Sequence, residues 1–306
     1  MGENRDLREV PPVKFGLSPG LWIFDSTPEL IETIMQKAEA VGFESVWISD
    51  HLAVPAKVPD RYPYSKGQKA PFDGDSSWLD PLVLLSYIAG VTKKIKLGTA
   101  VYLLPLRNPH VTARAVVTLD RVSGGRLILG SGTGWMVDEF QVAEQDYENR
   151  GPRTLEIVEI LKGLWTQDVL EYHGKYYDFG PMKFEPKPIQ KPHPPFLFGG
   201  ETPAALRRAV RLGAGWIGMW YAPEKVKEFV DKLSELRKAE GREGDPFEIN
   251  VGVRSADFTP ELFQRYADVG VDRVRLSPFR DPSGQVPIAE MLADLEWFGD
   301  EVIRKA

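Results

Sequence analysis

VKFGLSPGLWIFDSTPELIETIMQKAEAVGFESVWISDH, from Val13 to His51, reads as a strand, a helix and a second strand, and everything after it repeats that pattern. Val13 to Leu17 is a short apolar run. Thr27 is a good N-cap, and Pro28 suits a first helical position because its missing N–H would have no partner there. Leu30, Ile31, Ile34, Met35, Ala38 and Val41 then recur with a 3.6-residue period, giving the helix one apolar face. Gly42 stands where a left-handed C-terminal glycine belongs. Ser45 to Ser49 is the second strand. A strand–helix–strand unit of this kind favours parallel pairing.

The alternation continues to the end of the chain. Further strands are predicted at Ile95–Val101, Leu127–Gly130, Phe196–Phe198, Gly215–Gly218, Phe247–Val253 and Arg273–Leu276. Helices are predicted at Asp80–Gly90, Pro109–Val122, from Gly151 onward, and at Pro203–Leu212, Pro223–Glu240, Pro260–Val269 and Val286–Lys305. In the second of these Val111, Ala115, Leu119 and Val122 share a face; in the third Leu155, Val158, Leu161 and Trp165 form a stripe. Eight strands in strict alternation with helices predict an α/β chain folded as a (β/α)₈ TIM barrel. That count favours the barrel over an open doubly wound sheet. The reading is one domain over residues 1–306, with insertions at about 52–79 and 133–195. Glu171–Phe179, inside the second, reads as a hairpin with Gly174 at the turn.

Composition narrows the classes. The 306 residues carry no cysteine, so there is no disulfide, thiol nucleophile or thiolate metal site. The net charge of −6 gives no reason to expect nucleic acid or an anionic membrane as partner. The longest apolar stretch, Pro81 to Val91, is far short of the roughly 20 residues of a membrane span. The polar start, Met1 to Asp6, lacks the apolar core of a signal peptide, and a cytoplasmic place is expected.

Barrel chemistry sits at the C-terminal strand ends. Asp50 and His51 follow the second strand, where the pair could order a ring, set a tautomer or move a proton, or simply cap a loop. Leu97-Gly98-Thr99-Ala100-Val101 puts small residues at a strand tip, which suits either a flat ligand or ordinary packing. Gly130-Ser131-Gly132-Thr133-Gly134 is a glycine-rich turn with no Walker lysine and no helix opening directly after it. Gly199-Gly200-Glu201-Thr202-Pro203 ends a strand in two glycines and opens a helix, a ready cradle for a phosphate or carboxylate, with Glu201 expected to point away. The four histidines, His51, His110, His173 and His193, show no metal-binding spacing, and no metal is expected. No nucleophile elbow is present, and no lysine stands at a strand end for a Schiff base. A glycine-lined mouth, an anion cradle and an Asp-His pair suit a large cofactor that brings its own reactivity.

These residues resemble the luciferase-like superfamily, and within it the branch of oxidoreductases that use the deazaflavin coenzyme F420. The resemblance rests on Trp47-Ile48-Ser49-Asp50-His51, on Leu97–Val101 with Pro105-Leu106-Arg107-Asn108-Pro109, on Thr118–Arg126, on Leu129–Trp135 and on Phe198-Gly199-Gly200. It implies a barrel with insertions, usually a homodimer, and a non-proline cis peptide at Ala100–Val101 behind the deazaflavin ring. It implies that Asp50 hydrogen-bonds the ring, that His51 faces the hydride-accepting carbon, that Gly132 and Thr133 line the ring or ribityl chain, and that Gly199, Gly200, Glu201 and Thr202 bind the phosphate through backbone N–H groups. Alcohol and sugar-phosphate dehydrogenases of this branch carry a glutamate directly after the Gly-Thr-Gly turn and a tryptophan four residues past the histidine. Trp135 and Pro55 stand there instead, with Asp138 and Glu139 displaced along the chain, so Trp135 is read as an aromatic wall for a flatter, more apolar small-molecule substrate. The resemblance implies hydride transfer at the deazaflavin C5. The alternatives it leaves are a monooxygenase using reduced FMN and a barrel that binds a flavin-like ligand without turnover.

Overall fold

The computed structural model describes residues 13–281 and 286–306; the polar start of the chain lies outside them. The strands are β1 (Lys14–Leu17), β2 (Ser45–Ile48), β3 (Lys96–Thr99), β4 (Tyr102–Leu103), β5 (Leu127–Gly132), β6 (Leu170–His173), β7 (Asp178–Met182), β8 (Phe196–Gly199), β9 (Gly215–Trp220), β10 (Glu248–Gly252) and β11 (Arg273–Leu276). The helices are α1 (Pro28–Val41), α2 (Pro81–Val91), α3 (Pro109–Val122), α4 (Val137–Val142), α5 (Arg150–Thr166), α6 (Pro203–Leu212), α7 (Pro223–Ala239), α8 (Pro260–Asp268) and α9 (Ile288–Phe298). The parallel order runs β3-β2-β1-β11-β10-β9-β8-β5, and β3 pairs with β5 to close an eight-stranded TIM barrel. β6 and β7 form the antiparallel hairpin, apart from the barrel.

Local chemistry accounts for most boundaries. Thr27 Oγ1 accepts from the Leu30 N–H, and Gly42 ends α1 at φ 109°. Asp80 and Asn108 cap α2 and α3 by accepting two N–H groups each, with proline at the following position.

Four expectations need correction. The third strand stops at Thr99 rather than Val101, and the chain resumes after a cis Ala100–Val101 bond as β4, which pairs with the end of β5. On α3 the buried side carries Ala113, Val116, Val117 and Asp120, whereas Val111 and Val122 face solvent. The Asp120 carboxylate reaches inward to accept the Ile189 and Gln190 N–H groups, which fixes that side against the 189–190 segment. On α5 Leu155 is exposed while Val158, Leu161 and Trp165 are buried. Finally, α9 starts at Ile288 and passes into a wider turn over Gly299–Ile303, so the last helix is shorter than drawn from Val286 to Lys305.

The barrel interior is polar at its base. Arg273 pairs with Glu44 and Glu248 and donates to Ser45 Oγ. One layer up, Arg275 donates to Asn250 Oδ1 and to the Gly218 carbonyl. Burial without a carboxylate partner, and the neighbouring Arg273 charge, push Arg275 down to about 10. Trp47 fills the space beside them. A Cβ at Gly98 would stand 2.3 Å from its ring, so that glycine makes room for an indole, not for a ligand.

Candidate active site

The C-terminal strand ends open into a cavity of about 1360 Å³. Pockets for a drug-sized ligand measure about 300–1,000 Å³. The space is therefore larger than one such ligand requires. His51, Ala100, Val101, Gly132, Thr133, Trp135, Gly199, Gly200, Glu201 and Thr202 all line it.

Asp50 does not line the cavity. Its carboxylate is fully buried and grips Arg107 through two hydrogen bonds of 2.6 and 2.8 Å, while the Leu103 N–H donates to it at 2.8 Å. Burial lifts the carboxyl, and the guanidinium and the amide pull it back. With both oxygens engaged, Asp50 is a clamp on the segment after the cis bond, set behind the cavity wall.

His51 has a partner that sequence spacing does not reveal. Its Nδ1 lies 2.9 Å from Glu139 Oε2, and the Leu52 N–H donates to the other oxygen at 2.8 Å. Glu139 is on α4, a six-residue helix without a side-chain cap. So short and uncapped a helix leaves little trace in periodicity. The carboxylate is fully buried and fixes the imidazole so that Nδ1–H donates to it. Among the described residues Nε2 has no hydrogen-bond partner, and it is the atom left for the cavity.

Val101 occupies the bend between β5 and β8. Cβ atoms on Gly132 and Gly199 would stand 2.4 and 3.0 Å from its methyl groups. These two glycines therefore seat Val101, and the pair of strands brings the cis segment to the cavity wall. Gly200, at φ 109°, turns the chain so that Thr202 caps α6 by accepting from the Ala205 N–H. The first-turn N–H groups of α6 have no intrahelical partner, and the positive dipole end favours an anion. Glu201 lines the cavity as well: its Oε2 accepts the Tyr221 hydroxyl at 2.6 Å, while its Oε1 is buried with no hydrogen-bond partner among the described residues. Burial raises its carboxyl above the ordinary range, partly offset by that hydroxyl.

The cavity also holds cations, two of which, Arg208 and Arg150, spacing does not single out. Arg208 is 8% exposed, yet its Nε has no hydrogen-bond partner and it forms no ion pair among the described residues. Burial lowers it, and nearby Arg150 adds like-charge repulsion. An unpartnered buried guanidinium costs several kcal/mol unless an anion meets it. The sequence does carry a signal: Arg208 interrupts the apolar stripe Ala205, Leu206, Ala209, Val210 of α6. Arg150 donates to the Gly134 and Tyr147 carbonyls, and Arg254 lies 3.9 Å from the Trp220 ring centre. Burial first, and the neighbouring tyrosine next, push the Tyr62 hydroxyl up to about 12, so it stays protonated and is no general base.

Comparison with known proteins matches this arrangement to a known family. Residues 20–260 match the family described as Luciferase-like monooxygenase. An uncharacterized protein of Mycobacterium tuberculosis is 31% identical over 89% of this chain and 94% of its own. An F420-dependent glucose-6-phosphate dehydrogenase of Amycolatopsis mediterranei is 29% identical over 78% of this chain and 76% of its own. An FMNH₂-dependent dimethylsulfone monooxygenase of Pseudomonas putida is 31% identical, over 50% of this chain and 43% of its own. The solved F420-dependent tetrahydromethanopterin reductase of Methanopyrus kandleri superposes with a TM-score of 0.73 at 21% identity, over 96% of this chain and 99% of that one, a likeness of fold.

Proposed function

The chain belongs to the luciferase-like monooxygenase family, and on that footing we propose that it is an oxidoreductase that seats coenzyme F420 in the barrel mouth and passes hydride between the deazaflavin C5 and an organic small molecule. The relatives include both F420- and FMNH₂-dependent enzymes. The F420-dependent one aligns along most of both chains, whereas the FMNH₂-dependent one aligns along half, which favours the deazaflavin.

The residues fit such a group. Arg208 supplies an unmatched buried cation beside the start of α6, where a phosphate would also meet the free N–H groups of that helix. Arg150 adds a second positive charge. The cis segment at Ala100–Val101 and the turn at Gly132–Thr133 offer a wall to a flat ring. When bound, the ring supplies the redox chemistry. The chain supplies place, orientation and protons.

The observation that carries the reading is His51 held by Glu139 at the cavity edge, with Nε2 unengaged. An imidazole whose Nδ1 is tied to a carboxylate can take or deliver a proton at Nε2 as charge moves on a substrate oxygen. The aromatic rings around it exclude water from that exchange. Titrating the purified chain with F420 and with FMN, followed by fluorescence quenching, tests the assignment. F420 is expected to bind, and His51→Ala to slow turnover by about 10²-fold with little change in cofactor Kd. Tight FMN binding without an F420 response would instead favour the monooxygenase reading. Cofactor binding with no reaction across a broad substrate panel would favour a carrier barrel.

We also infer a homodimer. Leu79, Val83 and Tyr87 near and along α2, with Val111 and Val122 on the adjoining α3, are exposed apolar side chains on two helices packed together.

A further inference from the structure

The cavity is uneven in chemistry. Two of its cations, Arg150 and Arg208, belong to the side where β8 turns into α6, and Arg61, Arg254 and Arg275 line it elsewhere. The side around His51 is built of rings. Phe72 and Trp78 stand 4.6 and 4.5 Å from the imidazole centre. Phe72 continues to Trp135 at 6.5 Å, and Trp135 to Tyr62 at 5.4 Å. Trp78 continues in the other direction to Phe24 at 5.2 Å. All of these rings line the cavity.

Glu139 is fully buried, and its oxygens are taken by His51 and the Leu52 amide. A second negative group brought beside it would be repelled. A flat uncharged molecule gains from both contact area and ring stacking, worth about 0.5–1.5 kcal/mol per aromatic pair beyond burial.

We propose that the substrate half of this cavity takes a planar, uncharged, largely apolar carbonyl compound, seated against Phe72, Trp78 and Trp135, in preference to sugar phosphates. The inference rests on the proposed redox reading, since it names the partner of the same site. A carbonyl oxygen is a group that His51 Nε2 can serve with a proton, and the Trp78 Nε1–H in the same wall, unpaired among the described residues, is a second donor for its other lone pair. The specificity lies in Trp135 and in the ring-bearing 52–79 segment, not in the barrel strands.

Binding can be read without turnover. The probes are 2-methyl-1,4-naphthoquinone, as the planar uncharged compound, and glucose 6-phosphate, as the anionic polar one. Each is titrated by tryptophan fluorescence and by calorimetry, with and without saturating oxidised FMN or F420 in the cationic half. The quinone is expected to bind saturably in both states. Trp135→Ala and Phe72→Ala are expected to raise its Kd at least about tenfold, which is about 1.4 kcal/mol. Trp135→Phe restores most of the affinity, and Arg208→Gln leaves it unchanged while weakening the cofactor. With the cofactor filling the cationic half, glucose 6-phosphate is expected to bind more weakly than the quinone. The proposal is overturned if in that state glucose 6-phosphate binds as tightly as the quinone, if the quinone does not bind, or if Trp135→Ala and Phe72→Ala leave its Kd unchanged. Failure of F420 and FMN to bind, with the quinone still held by the rings, would instead sink the redox reading.

Discussion

Single side chains decide the chemistry here, and two carboxylates show how differently. Glu139 is engaged by His51 and Leu52, so it acts through the imidazole as a positioning residue. Glu139→Gln keeps the shape and removes the charge. It is expected to lower kcat by about 10- to 10²-fold, shift the pH profile of kcat, and leave cofactor Kd within about twofold; steady-state kinetics across pH with a parallel binding titration checks it. Glu201 lies beside the anion cradle, and burial raises its carboxyl. A carboxyl raised in the fold takes up its proton earlier than in the unfolded chain. It therefore favours the fold at acid pH, and that contribution is lost as pH rises through the raised value. The neutral acid also repels a phosphate less. Cofactor affinity is therefore expected to rise as pH falls from neutrality toward the ordinary carboxylate range. Glu201→Gln should flatten that dependence and tighten binding by about three- to tenfold at neutral pH, as read by fluorescence titration.

At the level of elements, the strands and long helices were legible because their caps and periods are local: Thr27, Gly42, Asn108 and Thr202 mark their own boundaries. The site was legible only in part. His51 and the glycine turns announce themselves at strand ends, but Glu139 comes from a helix of six residues, 88 positions along the chain from its partner. Trp135 in place of a glutamate points to the displaced pair Asp138 and Glu139, but spacing does not say which of the two reaches His51. The α3 face was misread because that helix carries two apolar stripes, and only tertiary partners such as the 189–190 segment decide which one turns inward. Asp50 was read as a ligand group, yet it locks β4 and the turn after it to β2. Asp50→Ala leaves Arg107 buried without its carboxylate and is expected to cost about 3–5 kcal/mol of stability, measured by urea unfolding. Asp50→Asn, which keeps an acceptor, should cost less.

Across the whole molecule, the proposed homodimer is tested on the exposed apolar residues of α2 and α3. Val111 is 68% and Val83 71% exposed. Val83→Asp with Val111→Asp is expected to convert a dimer to monomer in sedimentation-velocity runs while leaving the far-UV spectrum intact. An unchanged sedimentation coefficient would place the association elsewhere or nowhere. Among the described residues no helix is long and apolar enough to cross a membrane.

The stretch from residue 52 to 79 contributes nothing to the ladder of backbone bonds that closes the cylinder. It nonetheless brings Tyr62, Phe72 and Trp78 to the imidazole's surroundings. Selection can therefore redraw this loop, and with it the diet of the proposed enzyme, without disturbing the cylinder beneath it. Kin of this chain could share one engine and differ only in what they feed it.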